Sequence, residues 1–420
     1  MTGESGAPPP SAGEHRRHGV ARRASPVLIA TAVAGGAGYV ATLLASLRLG
    51  QGSFVSFAAL WASVFFVAGT FGGWQVEITR ASHRTSEPRS LRPVALTATL
   101  VGIGALGLAV AWTLGLSFVH AEPGLRGAPA VAIAGVGAVM LGTVAGMAAG
   151  AERWGTLAVM LSAEGVLRLL FVGAAVIAGA GFWVMSASIA VPAVVVSLVV
   201  LAFRRPLGLA DIWVDGTPRE LAQRALATIA ASAALSAVIS ALPALMTMRS
   251  SSVPVSVVEG AQTVTQLLRA PMVVVALALQ GFAVVTLRTS PQAVKRIPRV
   301  LVALVVLGGA LGVLAALVVP GLVSAVYGDE KEISSLLSAA LIGSAALLVG
   351  VFLVAIALLA LMDHRGYAAV WGITAAVTIG AMLLPVGFDP RLTIALILAP
   401  ACGMGYGVRR LLTHTIVTEP

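Results

Sequence analysis

The chain has 420 residues, of which 58% are apolar and 10% charged, and a formal charge of +10. A soluble domain has roughly 25% charged residues and just under half apolar ones, so the composition excludes soluble enzymes and soluble nucleic-acid binders. The single cysteine, Cys402, excludes an intramolecular disulfide and a cysteine-based metal site. Long apolar runs between short arginine-bearing connections indicate a polytopic membrane protein.

The predicted elements begin with a Pro/Gly/Ser-rich, disordered tail over residues 1–24. With about 20 apolar residues per span, the rest of the chain predicts an all-α membrane protein with twelve transmembrane helices. The predicted helices are 25–46, 53–76, 93–118, 129–149, 155–179, 183–203, 224–247, 256–286, 299–319, 333–361, 368–387 and 392–408. The first apolar run is longer than the core of a signal peptide, so we expect it to be an uncleaved helix.

The basic residues predict the orientation of these helices. With a cytoplasmic N-terminus, twenty of the 27 Lys and Arg residues fall in cytoplasmic segments, five in outer loops, and two inside helices. Positive residues accumulate on the cytoplasmic side of membrane proteins. We therefore predict a multi-pass protein of the cell membrane with both termini in the cytoplasm.

A short internal repeat divides the chain in two. Gly73-Trp74 and the later segment 78–82 match Gly281-Phe282 and segment 286–290 at an offset of 208 residues. Parallel repeats of this kind are related by an axis along the membrane normal. We predict two pseudo-symmetric six-helix lobes around a central cavity: an N-lobe over 25–203 and a C-lobe over 223–408. A cytoplasmic connection, 204–222, would join them, and 409–420 would be a cytoplasmic tail.

The eighth predicted helix carries a polar stripe. Its members share one helical face because they are spaced by three, four and three residues; they are Glu259, Gln262, Gln266 and Arg269. Pro271 follows and predicts a kink. The stripe is interpreted as the wall of a hydrated cavity, and the alternative is an interfacial cap with Glu259 above the membrane.

The fifth predicted helix carries a second candidate, the i,i+4 pair Glu164 and Arg168. An arginine in the middle of a span needs a wet cavity or a partner. Because Arg168 and Arg269 lie at similar predicted depths in opposite lobes, they could bind the two phosphates of a diphosphate together. The alternative is a self-neutralising structural pair in which Glu164 balances Arg168.

Three loose motifs carry a family resemblance. They are the junction Ser46-Leu47-Arg48-Leu49-Gly50-Gln51-Gly52-Ser53-Phe54, the segment Val323-Ser324-Ala325-Val326-Tyr327-Gly328-Asp329-Glu330, and the turn Asp363-His364-Arg365-Gly366. With them the chain resembles the polysaccharide biosynthesis (oligosaccharide flippase) family of the multidrug/oligosaccharidyl-lipid/polysaccharide exporter superfamily.

The resemblance implies two bundles of six helices around a V-shaped cavity. It implies translocation of a polyprenyl-diphosphate-linked glycan for cell-surface polysaccharide, without catalytic residues, metal or cofactor. The implied partners are that lipid-linked glycan, membrane lipids, and the glycosyltransferases and polymerase of the same pathway, with no nucleic acid. Cavity arginines on helices 1, 2 and 8 are typical of the lipid-precursor branch. Here Arg269 matches, Arg48 lies at a helix end, and helix 2 has none.

Two alternative functions stay open at the level of sequence. A cation-coupled drug exporter of the same superfamily would need a buried carboxylate, and predicted helices 1 and 7 contain no Asp or Glu. A membrane glycosyltransferase would need acidic residues on an outer loop, and the first outer loop, 47–52, has none.

Overall fold

The structure is a computed structural model of the full chain, and it describes residues 12–50, 52–84, 92–118, 124–210, 212–214, 217–248, 250–272, 287 and 291–417. Apart from one short strand pair, its regular elements are helices. This confirms the prediction of an all-α polytopic membrane protein. Ten spans within the described residues are long and apolar enough to cross a membrane.

In the N-terminal half, the residues that the structure describes form seven helices. They are α1 (Ala12–Arg48), α2 (Ser53–Thr70), α3 (Gly72–Ala81), α4 (Arg92–Phe118), α5 (Gly124–Gly150), α6 (Trp154–Ile177) and α7 (Phe182–Ala202). Only Phe71 separates α2 from α3, so the two form one span, 53–81.

The described residues of the C-terminal half form seven more. They are α8 (Pro218–Ile239), α9 (Leu242–Met246), α10 (Val255–Val264), α11 (Pro291–Tyr327), α12 (Ser335–Ala360), α13 (His364–Met382) and α14 (Phe388–Val417). A π-helical turn, Thr265–Arg269, follows α10, and a 3-10 turn, Gly328–Glu330, follows α11. The second half of the predicted helix 256–286 lies outside the described residues. The second copy of the internal repeat, within residues 281–290, also lies outside the described residues, except for Leu287.

Both predicted tails were assigned too long. Helix α1 begins at Ala12, so residues 12–24 are helical rather than disordered; the proline run ends at residue 10, and helix formers follow. Helix α14 continues to Val417 instead of ending at 408. No Gly or Pro interrupts residues 408–417, and Arg410 Nε donates to Asp363 Oδ2 at 2.8 Å, which fixes this extension to the start of α13.

The predicted connection 204–222 also contains the start of a helix. The Thr217 hydroxyl accepts from the Glu220 N–H, and the Glu220 carboxylate accepts from the Thr217 N–H, with Pro218 as the first helical residue. Thr-x-x-Glu is the capping-box signature, so the sequence already carried this signal. The predicted helix 224–247 is therefore α8, which starts six residues earlier, and a separate short α9.

A two-stranded antiparallel pair was not predicted. Strand β1 (Ser82–Arg84) follows α3, and it pairs with β2 (Ile212–Val214) from the connection, with Ser82 opposite Val214. Segments of three residues are too short for a recognisable alternation of polar and apolar side chains.

The two halves contact each other at both ends of the bundle. At the end that carries β1 and β2, here called the strand end, a Cβ built on Gly73 would clash with the backbone of Thr228, so α3 and α8 touch backbone to backbone. Small residues allow this approach between membrane helices. The buried Glu77 carboxylate also pairs with Arg224 at 2.8 Å. The opposite end, here called the junction end, carries the α1–α2 junction and the α11–α12 connection.

Candidate functional site

A cavity of about 170 Å³ lies inside the N-terminal half, walled by α2, α3, α5, α6 and α7. Most of its lining is apolar. The polar side chains at its wall are Gln75, Glu164 and Arg168. All lining residues fall between 64 and 193, so this cavity belongs to one half of the chain and not to the space between two lobes.

Arg168 is fully engaged at the wall of this cavity. Its guanidinium pairs with the Glu164 carboxylate one helical turn earlier, and its Nε donates to the Ile189 carbonyl at 3.4 Å. The guanidinium carbon also lies 4.8 Å from the centre of the Phe65 ring. Because cation and carboxylate neutralise each other, the wall presents a dipolar pair with no net charge.

A row of aromatic rings on α2 connects this pair with the junction end. The ring centres of Phe54 and Phe57 are 6.2 Å apart, those of Phe57 and Trp61 5.6 Å, and those of Trp61 and Phe65 4.9 Å. A cation contacts each end of the row, Arg168 at Phe65 and Lys331 at Phe54. The i, i+3, i+7, i+11 spacing was the available sequence signal, and it predicts one helical face without saying what that face contacts.

The polar stripe lies on α10 and the π turn, and it is buried. Gln262 Nε2 donates to the Pro243 carbonyl at 2.9 Å. Within the described part of the chain, the Gln262 Oε1, both amide atoms of Gln266 and the Arg269 Nε have no hydrogen-bond partner. Arg269 is 3% exposed. An anion could accept hydrogen bonds from the two unsatisfied donors, the Arg269 Nε and the Gln266 Nε2, while the two amide oxygens would need a donor.

The kink expected at Pro271 takes the form of this π turn. Proline cannot donate a backbone hydrogen bond to the preceding helical turn. The chain widens to π geometry over Thr265–Arg269, directly before Ala270 and Pro271. Single π turns inside helices are frequent at functional sites.

Of the two arginines that the sequence suggested as a common clamp, one lines this cavity. Arg168 faces the cavity of the N-terminal half, and Arg269 is not among the residues that line it. Glu164 contacts Arg168, as its spacing predicted. Arg48 is exposed at the end of α1.

Glu259 contacts a different part of the protein from the rest of the stripe. It is 1% exposed, and its Oε1 accepts the Gly52 N–H at 2.6 Å, at the start of α2. It therefore joins the C-terminal half to the α1–α2 junction rather than facing water as an interfacial cap.

Lys331 is a buried cation that the sequence interpretation missed. It is 2% exposed; its Nζ donates to the Ser46 carbonyl at 2.8 Å and lies 4.1 Å from the ring centres of Phe54 and Tyr327. Burial lowers the pKa of Lys331 to about 8, although Glu259 and Glu330 act to raise this pKa. The sequence feature that could have drawn attention to Lys331 was its position directly after the motif 323–330.

In the part of the chain that the structure describes, no group of three or more His, Cys, Asp or Glu side chains could hold a metal ion. No protein-family model matches the sequence. An uncharacterised protein of Mycobacterium bovis is 28% identical over 397 residues, which cover 90% of this chain and 89% of that protein. An uncharacterised protein of Mycobacterium tuberculosis is 28% identical over 403 residues, 91% of this chain and 90% of that protein.

Solved structures with the same fold are transporters. The lipid II flippase MurJ in an inward closed conformation has a TM-score of 0.60 at 9% identity, covering 91% of this chain and 86% of that one. The eukaryotic MATE transporter AtDTX14 has a TM-score of 0.55 at 15% identity, with 95% and 96% covered. A MOP superfamily transporter from Pyrococcus furiosus has a TM-score of 0.51 at 14% identity, with 93% and 95% covered. The chain thus has the multi-pass membrane fold of these transporters.

Proposed function

We propose that this chain is a membrane transporter that moves a polyprenyl-diphosphate-linked oligosaccharide across the cell membrane for surface polysaccharide synthesis. The junction end would face the outside and both termini the cytoplasm, as the distribution of basic residues predicts. The fold shared with MurJ and the MATE transporters supports a transport role. The cargo is the one that the family resemblance of the three motifs implies, and the residues around Arg269 support its diphosphate group.

Arg269 is the observation that carries the proposal. Removing a guanidinium from water is costly, and the cost is normally offset by a carboxylate or by several hydrogen bonds. The described residues supply no such partner to its Nε, and Gln262 and Gln266 leave further polar atoms unsatisfied. A bound anion with several oxygens would accept hydrogen bonds from the Arg269 Nε and the Gln266 Nε2, whereas the two glutamine oxygens would need a donor. A diphosphate fits, because arginine binds phosphate oxygens in bidentate geometry.

The depth of Arg269 favours a lipid-linked anion. Helix α10 begins at Val255 near the junction end, and Arg269 follows fourteen residues later. At about 1.5 Å per residue this is roughly 20 Å along the helix, within a hydrocarbon layer of about 30 Å. A molecule with its diphosphate in the protein and its polyprenyl tail in the bilayer meets both environments.

The alternative of a cation-coupled drug exporter is less well supported. Such a protein would offer a negatively charged site to its cargo. In the cavity of the N-terminal half, Glu164 is the carboxylate at the wall, and Arg168 neutralises it. The site therefore gives a cationic drug no net attraction.

The test is complementation of cells that lack the protein. Arg269→Gln should reduce surface glycan about tenfold or more, because one charge-assisted contact to the cargo is lost, and the lipid-linked precursor should accumulate on the inside. Arg299→Gln, which removes an exposed arginine of α11, is the matched control and should export normally. Normal surface glycan in the Arg269→Gln strain, at equal protein level, would contradict the proposal.

A further inference from the structure

The two motifs at the junction end contact each other across the halves of the chain. The Ser46 hydroxyl from the first motif hydrogen-bonds the Tyr327 hydroxyl from the second at 3.0 Å. Lys331 directly follows the second motif, and it contacts the Ser46 carbonyl and the Phe54 ring of the first. Segments about 280 residues apart thus form one polar cluster.

Lys331 depends on the N-terminal half for most of its partners. Its ammonium lies between the rings of Phe54 and Tyr327, and cation–π contacts of this kind strengthen when water is excluded. Of these partners, Tyr327 belongs to its own half, whereas Phe54 and the Ser46 carbonyl belong to the other. If the halves separated here, Lys331 would exchange two of its contacts for water.

Glu259 adds a second connection at the same end. Its carboxylate accepts the N–H of Gly52, the residue before the first residue of α2. Gly52 has φ +82°, a left-handed conformation that glycine adopts without strain. A carboxylate at this position also interacts favourably with the positive end of the helix dipole. The C-terminal half thereby provides the cap that α2 lacks from its own side chains.

The junction end differs in kind from the strand end. At the strand end the backbones of α3 and α8 touch at Gly73, and β1 pairs with β2. At the junction end the described contacts include a few polar groups and a cation against ring faces, in addition to the apolar contacts of Ala59 and Ala62 with Ala244, and water can replace the polar partners on opening. Contacts with this property can break and re-form at modest cost, whereas a close backbone contact cannot be replaced in this way.

From this geometry we propose that Ser46, Gly52, Phe54, Glu259, Tyr327 and Lys331 form a latch between the two halves. The latch closes the junction end and opens when the protein changes conformation. Its action concerns the motion of the two halves and does not depend on which cargo the protein carries.

The latch can be tested by measuring the distance between the halves. Spin labels would be attached at Val184→Cys in α7 and Val386→Cys in the α13–α14 connection, both exposed sites at the junction end, in a Cys402→Ser background. The full chain in lipid nanodiscs is then measured by double electron–electron resonance. With the latch residues unchanged, the doubly labelled protein should show one main distance between the two spin labels.

Lys331→Met and Glu259→Gln should each increase a longer-distance population several-fold. Glu332→Gln, which removes an exposed charge next to the latch, should leave the distribution of the parent unchanged. Phe54→Leu, which keeps an apolar side chain but removes the ring, should act like Lys331→Met and serves if that variant does not fold. Identical distance distributions in the parent and in folded latch variants, or an equal shift in Glu332→Gln, would overturn the proposal.

Discussion

Arg168 and Arg269 are the same residue type at similar predicted depths, yet their surroundings are opposite. Arg168 has a carboxylate, a backbone carbonyl and an aromatic ring around it. Arg269 is more deeply buried, and its Nε has no partner among the described residues. A charge that the protein itself satisfies contributes to the fold, whereas a charge left unsatisfied indicates a ligand.

The largest effect is expected from breaking the satisfied pair. Arg168→Met leaves the Glu164 carboxylate buried without its counterion. Removing one partner of a buried ion pair costs about 3–5 kcal/mol of unfolding free energy, so the thermal unfolding temperature in detergent should fall steeply. An unchanged unfolding temperature would show that Glu164 finds another partner or water.

Removing both members of the pair should restore most of this loss. In Glu164→Leu/Arg168→Met, no buried charge remains, and apolar replacements of similar volume are often neutral. We expect the double variant to lie within about 1–2 kcal/mol of the parent. A double-mutant cycle from the thermal unfolding of the parent, the two single variants and the double variant measures the coupling energy between Glu164 and Arg168. If the effects of the two single substitutions simply add, the two residues do not form a direct pair.

Arg269→Met should not lower the thermal stability as Arg168→Met does. The substitution removes a buried guanidinium whose Nε has no partner among the described residues. An unsatisfied buried donor costs about 1–3 kcal/mol, so the unfolding temperature of the ligand-free protein should rise or stay level. Export should nevertheless be lost. A variant that is both less stable and inactive would indicate that Arg269 has a structural partner after all.

The smallest effect concerns Lys331. This buried cation contacts aromatic rings and a backbone carbonyl, so its surroundings are intermediate between those of Arg168 and Arg269. Its folded pKa of about 8 lies below its ordinary value of 10.5. Between these values the unfolded chain binds more protons than the folded one, so the contribution of Lys331 to stability should rise with pH from about 8 to 10.5 and be flat below 8. Unfolding temperatures across this range should show the slope in the parent and lose it in Lys331→Met.

Much of the fold followed from patterns that are local in the chain. The length of each apolar run predicted most helices, because a span needs about 20 apolar residues. The i,i+4 spacing predicted the Glu164–Arg168 contact, since both side chains lie on one helical face. One error fell where the signal was a helix cap, because the capping box at Thr217 was overlooked.

The partners of most other buried polar groups could not be predicted. Lys331 was counted among the basic residues of the outer loops and given no partner, and Glu259 was assigned to a cavity wall or an interfacial cap. In the structure both contact the α1–α2 junction. Nothing near either residue in the sequence identifies a partner more than 200 residues away.

The sequence by itself determined that this is a bundle of membrane-spanning helices, because apolar length and helical period depend on neighbouring residues. Only the tertiary structure decided which buried charges have partners among the described residues and which do not. The physical reason is that a helical period fixes the face on which a side chain lies, while the packing of the whole bundle fixes what lies opposite that face.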